Sequence, residues 1–493
     1  MNGGSAAAGG APALPWKAVA LSALLGAGVA ALALPSLATQ TGGWIVRGDG
    51  MAYFLYARAL VLQGDADPTA GYRQLDARLP RDPEGPMAAL RFSVRSLHAG
   101  AGERVVLPWP IGAGLAMAPF FAAGWGAEIV AARVAGRAPD AFGLVPQVAY
   151  AGGAVAYGLL AFWASYRTCR RLPGAGAGPA AGAVLALILA SPAAFYVFLH
   201  PAMAHAPSLG LAAVLVLVWW RAWESAGAPA PPAAGLGGLA ALGGLAGFLV
   251  LIRYQNVVFV LLPLALLLRL ARRRGGAPAL AVAMASGMMA LGAAVPLAVA
   301  AVFLRRGGEP LFGAAGDGTA AAGSVTLAQN RFDLASPHFF DALLSCQHGA
   351  FYWTPVLALG AAALLWAAAR HGWARPLGAV LAASVYLVGC LAGGTNWSGD
   401  NAFGMRYLVE SVPLLAPPLA WAITASRPAA PGRARTGWRG AWALSLLLLV
   451  AANGLLMLAF ARRTIAHDRC VTWDEMAAGA ARALTPAAGG GAR

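Results

Sequence analysis

Residues 235–274 read GLGGLAALGGLAGFLVLIRYQNVVFVLLPLALLLRLARRR. Two apolar runs, 235–252 and 255–268, flank a polar tip, Arg253-Tyr254-Gln255-Asn256, and the second run ends at Arg269, Arg272, Arg273 and Arg274. A helix crosses the hydrocarbon core of a bilayer with roughly 20 mostly apolar residues. The stretch therefore reads as a transmembrane hairpin, with its tip at one surface and an arginine cluster at the other. Further apolar runs lie near 18–38, 142–165, 179–199, 206–220, 279–304, 350–369, 376–394, 407–425 and 440–460. Together they predict an all-α polytopic membrane protein of about eleven transmembrane helices.

Composition agrees. Hydrophobic residues make up 59% of the chain and charged ones 11%, against about half and a quarter in soluble domains. The formal charge of +16 does not indicate nucleic acid, because the arginines sit in short clusters between apolar runs, as they do in cytoplasmic loops. One set of alternate loops holds Arg167, Arg170 and Arg171, then Arg221, then Arg269 to Arg274, then Arg370 and Arg375, then Arg427, Arg433, Arg435 and Arg439. The intervening short loops hold almost none: 200–205 has no Lys or Arg, and 395–406 has only Arg406. The asymmetry assigns the first set to the cytoplasm. His200–His205, Arg253–Asn256, Leu304–His348 and Thr395–Arg406 then face the other side.

The organisation expected is a cytoplasmic N-terminus at 1–16, a first transmembrane helix at 17–38, an extracytoplasmic loop with a juxtamembrane helix at 39–141, a membrane domain at 142–460 and an extracytoplasmic tail at 461–493. The alternative for the first run is a cleaved signal sequence, but it is longer than the usual apolar core of one and no clear cleavage site follows. The segment 109–127 is apolar enough to span. Pro108, Pro110 and Pro119, with Gly112, Gly114, Gly124 and Gly126, predict instead a broken segment lying in the outer interface. In the tail, Thr472-Trp473-Asp474-Glu475 has the capping-box pattern of a helix start, and Ser336-Pro337-His338 reads as another, with Pro at the first helical position. Cys169, Cys346, Cys390 and Cys470 show no metal-ligand spacing. Cys346 and Cys470 fall on the same expected side, and the sequence leaves their pairing open.

The spans are nearly free of charge; Glu410, near an outer end, is the one ionisable residue read inside a span between 142 and 460. Ion-coupled transporters carry ionisable groups near mid-membrane, whereas here the polar residues gather on one face. The leading cluster is Arg47-Gly48-Asp49-Gly50-Met51-Ala52-Tyr53. A carboxylate between glycines can be approached closely by a substrate; the structural alternative is that Asp49 caps the helix that follows. Asp65 and Asp67 read as turn chemistry, and no further ligand is spaced to complete a metal site beside them. His205, Arg253, Trp397, Asp400 and Arg406 stand at the outer helix ends. Arginine suits bidentate phosphate binding; the structural alternatives are snorkelling to headgroups and an aromatic belt.

These segments resemble the GT-C class of membrane glycosyltransferases that use polyprenyl-phosphate sugars, among them bacterial mannosyl- and arabinosyltransferases. The matching residues are Gly48-Asp49-Gly50 with Tyr53, Gly64-Asp65-Ala66-Asp67, Trp109-Pro110-Ile111-Gly112 with Pro119-Phe120-Phe121, and Trp397 through Arg406. The resemblance implies transfer of a sugar from a polyprenyl-phosphate carrier to a glycan, lipid or protein acceptor outside the cytoplasm, with inversion, in a multi-pass inner-membrane protein surrounded by membrane lipids. Asp49 would be the general base, and Arg47, Tyr53, His205, Arg253, Trp397, Asp400 and Arg406 would bind substrate. Gly50 stands where some families of the class carry a second acidic residue, which leaves metal use open: a divalent metal is unsupported by the residues and no cofactor is certain. Two rival readings are a lipid or glycolipid transporter, which needs a hydrophilic path that these spans do not offer, and a non-catalytic envelope assembly protein of similar fold.

Overall fold

The computed structural model describes residues 43–78, 109–226, 236–272, 278–307, 337–392, 396–399, 401–426 and 433–485, with residues 105, 107, 325–327 and 330–332 and parts of 20–33. Helices α1 (Gly50–Leu62), α2 (Thr69–Arg78) and α3 (Gly112–Val134) lead into α4 (Leu144–Cys169). There follow α5 (Ala177–Leu189), α6 (Pro192–Phe198), α7 (His205–Ser225), α8 (Leu236–Ile252), α9 (Leu261–Ala271) and α10 (Pro278–Gly307). The last third comprises α11 (Phe339–Leu344), α12 (Ala350–Trp353), α13 (Pro355–Arg370), α14 (Ala374–Gly389), α15 (Val412–Ala425), α16 (Arg433–Ala461) and α17 (Trp473–Leu484). Three short strands, β1 (Val325–Leu327), β2 (Asn330–Phe332) and β3 (Leu391–Ala392), pair antiparallel in that order.

The chain is an integral, multi-pass membrane protein. Seven helical segments are long and apolar enough to cross a bilayer, or eight with the bent pair α5–α6 counted as one span. The expected count of eleven is not reached among the described residues. Helices α13 and α14 have 16 residues each, about 24 Å at 1.5 Å per residue, short of a hydrocarbon core of about 30 Å. The first apolar run is described only in part. Leu291, Leu365 and Leu448, on α10, α13 and α16, are exposed, as lipid-facing leucines are.

Segment 109–127 departs from expectation. Residues 112–127 of it belong to one continuous helix, α3, which is 23 residues long and carries Pro119 inside it. The Tyr157 hydroxyl donates to Ala116 O at 3.0 Å, in the turn before the proline. The contacts at both ends of α3 lead to one face of the molecule. At its start, a Cβ on Gly112 would land on the Leu251 backbone beside Ile252, which adjoins Arg253. Near its far end, Glu128 Oε1 accepts from Asp140 N at 3.0 Å, and the loop after it leads to Gln147, which holds residues 45 and 46.

Three helix breaks shape that face. Helices α5 and α6 meet at 72°. Ser191 caps α6 through Ala193 N, and Asn453 Nδ2 donates to Leu189 O (2.8 Å) and Ser191 O (3.1 Å), satisfying carbonyls freed at the bend. Between α8 and the 3-10 turn Tyr254–Val260, Arg253 is extended (φ −154°, ψ 124°); Asn256 Nδ2 donates to Leu249 O at 3.0 Å across the gap. A second 3-10 turn, Arg406–Ser411, precedes α15. Polar backbone exposed in a bilayer has to find a partner inside the protein, and these two asparagines supply it. At the opposite end, Arg171 pairs with Glu224 at 3.0 Å, so the loops holding Arg171 and Arg221 share one face, as their charge suggested.

Other local readings meet the structure in detail. Thr472 and Glu475 form the expected capping box at α17. Exposed Glu475 also binds Arg469, and that contact draws its carboxyl down to about 2. The start of α11 is displaced by two residues: His338 is the N-cap and Pro337 lies before it; Ser336 lies outside the described residues. The open question of Cys346 and Cys470 is answered by a disulfide between them, with the Cα atoms 4.8 Å apart. Cys169 and Cys390 are buried thiols. Protein denatured without reductant is expected to react with two equivalents of a maleimide, and with four after reduction. Four without reductant would mean that the bridge does not form.

Candidate active site

The chain enters the site through 45–49. Gly48 has φ +56°, a conformation that costs an L side chain about 1–2 kcal/mol. Its carbonyl accepts from Met51 N at 3.0 Å, and Asp49 O accepts from Ala52 N at 3.1 Å, starting α1. Asp49 occupies the N-cap position, yet its side chain makes no capping hydrogen bond. The cap alternative therefore fails, and the carboxylate is turned elsewhere: Oδ2 lies 3.4 Å from Arg406 Nη1. Both side chains are partly open, Asp49 at 32% and Arg406 at 18% exposure.

Arg406 opens its 3-10 turn, and its Nη2 donates to the Tyr407 hydroxyl at 3.1 Å. The Tyr407 ring carries two guanidinium groups, Arg406 at 5.0 Å and Arg253 at 5.2 Å from the centroid. Arg253 in turn donates from Nη1 to Glu410 Oε1 at 2.8 Å. His205 Nδ1 lies 3.2 Å from the same carboxylate oxygen, and its ring also contacts Arg253 Nη1. Tyr196 closes the floor, its ring 4.4 Å from His205, while its hydroxyl accepts from Phe403 N. Glu410 and His205 are both 2% exposed, and Glu410 Oε2 is buried with no hydrogen-bond partner.

The structure thus brings together Asp49, Tyr53, His205, Arg253 and Arg406, from four separate parts of the chain. Tyr53 is buried against Trp109; burial, then the nearby Asp49 carboxylate, pushes its phenol far up, so it is a hydroxyl donor and not a base. Two expected residues stand apart. Arg47 turns away and donates to Leu199 O at 3.0 Å; burial, then Arg463, brings its guanidinium down to about 10. Trp397 stacks on His338, with centroids 6.3 Å apart. Asp400 lies outside the described residues. Asp65 and Asp67 behave as turn residues, accepting from Asp67 N and Thr69 N. Among the described residues no group of three or more His, Cys, Asp or Glu side chains forms a metal-binding cluster.

Four side chains join the site without having been assigned to it from sequence: Glu410, Tyr407, Tyr196 and His200. Glu410 had a signal, a lone carboxylate in an apolar run, where an ionisable residue marks function by default. His200 is half-buried beside Gly48; burial, followed by Arg47 and Arg406, holds its imidazole well below the usual histidine range.

Similar solved structures include ArnT from Cupriavidus metallidurans bound to undecaprenyl phosphate, at 15% identity and a TM-score of 0.45, over 96% of this chain and 75% of that one. ArnT in the apo state matches at 13% identity and 0.44, over 95% and 75%. The archaeal oligosaccharyltransferase AglB from Archaeoglobus fulgidus, in complex with an inhibitory peptide and a dolichol-phosphate, matches at 11% and 0.43. This chain is covered to 93% there, but spans little more than half of AglB, 57%. No protein-family model and no curated protein sequence matches the chain.

The Arg253–Glu410 pair yields a stability prediction. Removing one partner of a buried ion pair strands the other and costs about 3–5 kcal/mol, whereas replacing both with apolar residues is nearly neutral. Glu410→Leu is expected to lower the unfolding temperature in detergent sharply, and Arg253→Met with Glu410→Leu to regain most of the loss. Equal destabilisation by the single and double replacements would show that the pair is not energetically coupled.

Proposed function

We propose that this chain transfers a sugar from a polyprenyl-phosphate donor to an acceptor hydroxyl on the extracytoplasmic face of the bacterial inner membrane, with inversion. The observation that carries the reading is the contact between Asp49 and Arg406: a base and a phosphate-binding cation, 357 residues apart in sequence, meet at one partly open spot.

The chemistry follows from that contact. Asp49 takes the proton from the acceptor hydroxyl as its oxygen attacks the anomeric carbon. The bond from that carbon to the phosphate oxygen breaks, and its electron pair leaves with the phosphate. Arg406, with Arg253 beside it across the Tyr407 ring, neutralises the charge that develops there. A guanidinium is suited to this because its planar fork matches phosphate oxygens. One base is enough for direct inverting displacement. Tyr53 lines the same spot as a hydroxyl donor. His205, enclosed by Glu410, Arg253 and Tyr196, supports the cations from beneath and does not touch the donor.

Sidedness is supported from two directions. The arginine-rich loops lie at the end holding the Arg171–Glu224 pair. The disulfide lies at the other: Cys470 follows α16, whose end carries Arg463 beside Arg47. Disulfides persist in oxidising compartments, which fits an extracytoplasmic Asp49. On this reading α3, anchored at both ends on that face, is the juxtamembrane helix.

A strain lacking the protein should accumulate a polyprenyl-phosphate-linked sugar and lose one sugar residue from an envelope glycan. Purified protein, given that accumulated lipid fraction and membranes from the same strain, should release polyprenyl phosphate. Asp49→Asn should slow release by about 10²–10⁴-fold while the protein inserts and folds normally. Arg406→Ala should act mainly by raising the carrier concentration needed. Near-normal release by Asp49→Asn removes the residue from the mechanism; movement of labelled lipid across the bilayer without any glycosidic product points instead to a transporter.

A further inference from the structure

The segment that presents Asp49 is held by a buried side chain on a different element. Gln147 lies one turn into α4 and is 4% exposed. Its Oε1 accepts from Ile45 N at 3.0 Å and from Val46 N at 3.3 Å. Its Nε2 donates to Phe142 O at 2.7 Å. Two amide donors on one side and a carbonyl acceptor on the other fix which end of the carboxamide is which.

The anchor is itself braced. Phe142 N donates to Asp140 Oδ1 at 3.0 Å. Asp140 receives Arg78 Nη1 on both oxygens, at 2.7 and 2.8 Å, which ties in the end of α2. Asp140 N reaches Glu128 Oε1 on α3, and that oxygen also binds Arg137 at 2.5 Å. Glu128 is 1% exposed. Gln147 therefore sits where α2, α3 and α4 converge, and from there it grips residues 45 and 46.

Along the chain, the fixed points come in sequence. Val46 is fully buried, Arg47 is tied to Leu199 O, and Gly48 turns at positive φ into the first turn of α1. Asp49 contributes no cap of its own, so its place is set by the backbone on either side. α1 fixes one side and Gln147 the other. Catalytic geometry is lost when a supporting contact is loosened by about 1 Å.

We infer that Gln147 is a positioning residue for Asp49: it holds the approach strand so that the carboxylate meets Arg406. The inference rests on the proposed role of Asp49 as base.

The test uses full-length protein in detergent or nanodiscs, with the lipid fraction from the deletion strain as donor and undecaprenyl phosphate as binding probe. In Gln147→Leu, the amides of residues 45 and 46 should exchange with deuterium at least tenfold faster. Turnover should fall at least tenfold, and undecaprenyl phosphate affinity should stay within twofold, because Arg253 and Arg406 are held by other elements. Gln147→Glu keeps an acceptor for both amides but sets a carboxylate oxygen against Phe142 O, so it should restore exchange and turnover only in part; Gln147→Asn, shorter by one methylene, serves if the leucine variant does not fold. Turnover within twofold of the parent despite faster exchange overturns the inference, as does an equal fall in turnover and carrier affinity. If Asp49→Asn is inactive while Gln147→Leu is normal, only the positioning role fails. If Asp49→Asn is itself active, the functional reading fails instead.

Discussion

A charge placed in an apolar bundle persists only with a partner, and here the partnership is Glu410 with Arg253. The carboxylate sits at the start of a span, 2% exposed, and takes Arg253 at 2.8 Å. Isolated, either charge would cost several kcal/mol in such surroundings. Together they tie the break between α8 and α9 to the 3-10 turn before α15, two places where the backbone has left its helix. His205 at the start of α7 joins on the same oxygen. One pair thereby gathers three helix ends at one level, and that level is the floor on which Tyr407 and Arg406 stand.

The breaks themselves are part of the same economy. A bilayer leaves no water for stray carbonyls, so each interruption comes with a polar side chain that closes it: Asn453 at the bend of α5 and α6, Asn256 at Arg253. The interruptions in turn place Tyr196, Arg253 and Arg406 at helix ends, where backbone direction can change and a side chain can leave the lipid-facing surface. Helices that ran straight through would hold these residues in register with neighbours of the wrong chemistry.

Much of this was legible in the sequence, for reasons that differ by element. The arginine clusters gave the faces, because a cation is cheap at one surface and costly in the core. The cluster at 47–53 and the arginines at 253 and 406 stood out as polar residues on the side with few charges, and the structure brings Asp49, Tyr53, Arg253 and Arg406 together. What was illegible depended on partners far along the chain. For Asp49 the sequence offers a base and a helix cap as alternatives, and only folding shows that its carboxylate turns to Arg406. Arg47 looks like its equal neighbour, yet a carbonyl at Leu199 draws it away. Pro119 suggests a break, yet α3 runs through it, packed against α4 where Tyr157 bonds the turn before the proline. Among the described residues seven or eight helices reach spanning length, against the eleven expected, because apolar length along a sequence does not reveal where a helix ends.

The two ion pairs of the site differ in a way that assigns them different work. Arg253–Glu410 is short and sealed, at 2.8 Å with exposures of 10% and 2%. Arg406–Asp49 is long and open, at 3.4 Å with 18% and 32%. A partly exposed pair at that distance contributes at most about 1 kcal/mol. The sealed pair keeps Arg253 in place whether or not a ligand is present. Tyr407 receives both arginines on its ring, which sets the loosely held cation beside the fixed one. If Asp49 is the base proposed above, separation of the loose pair by a bound phosphate would free its carboxylate for that work.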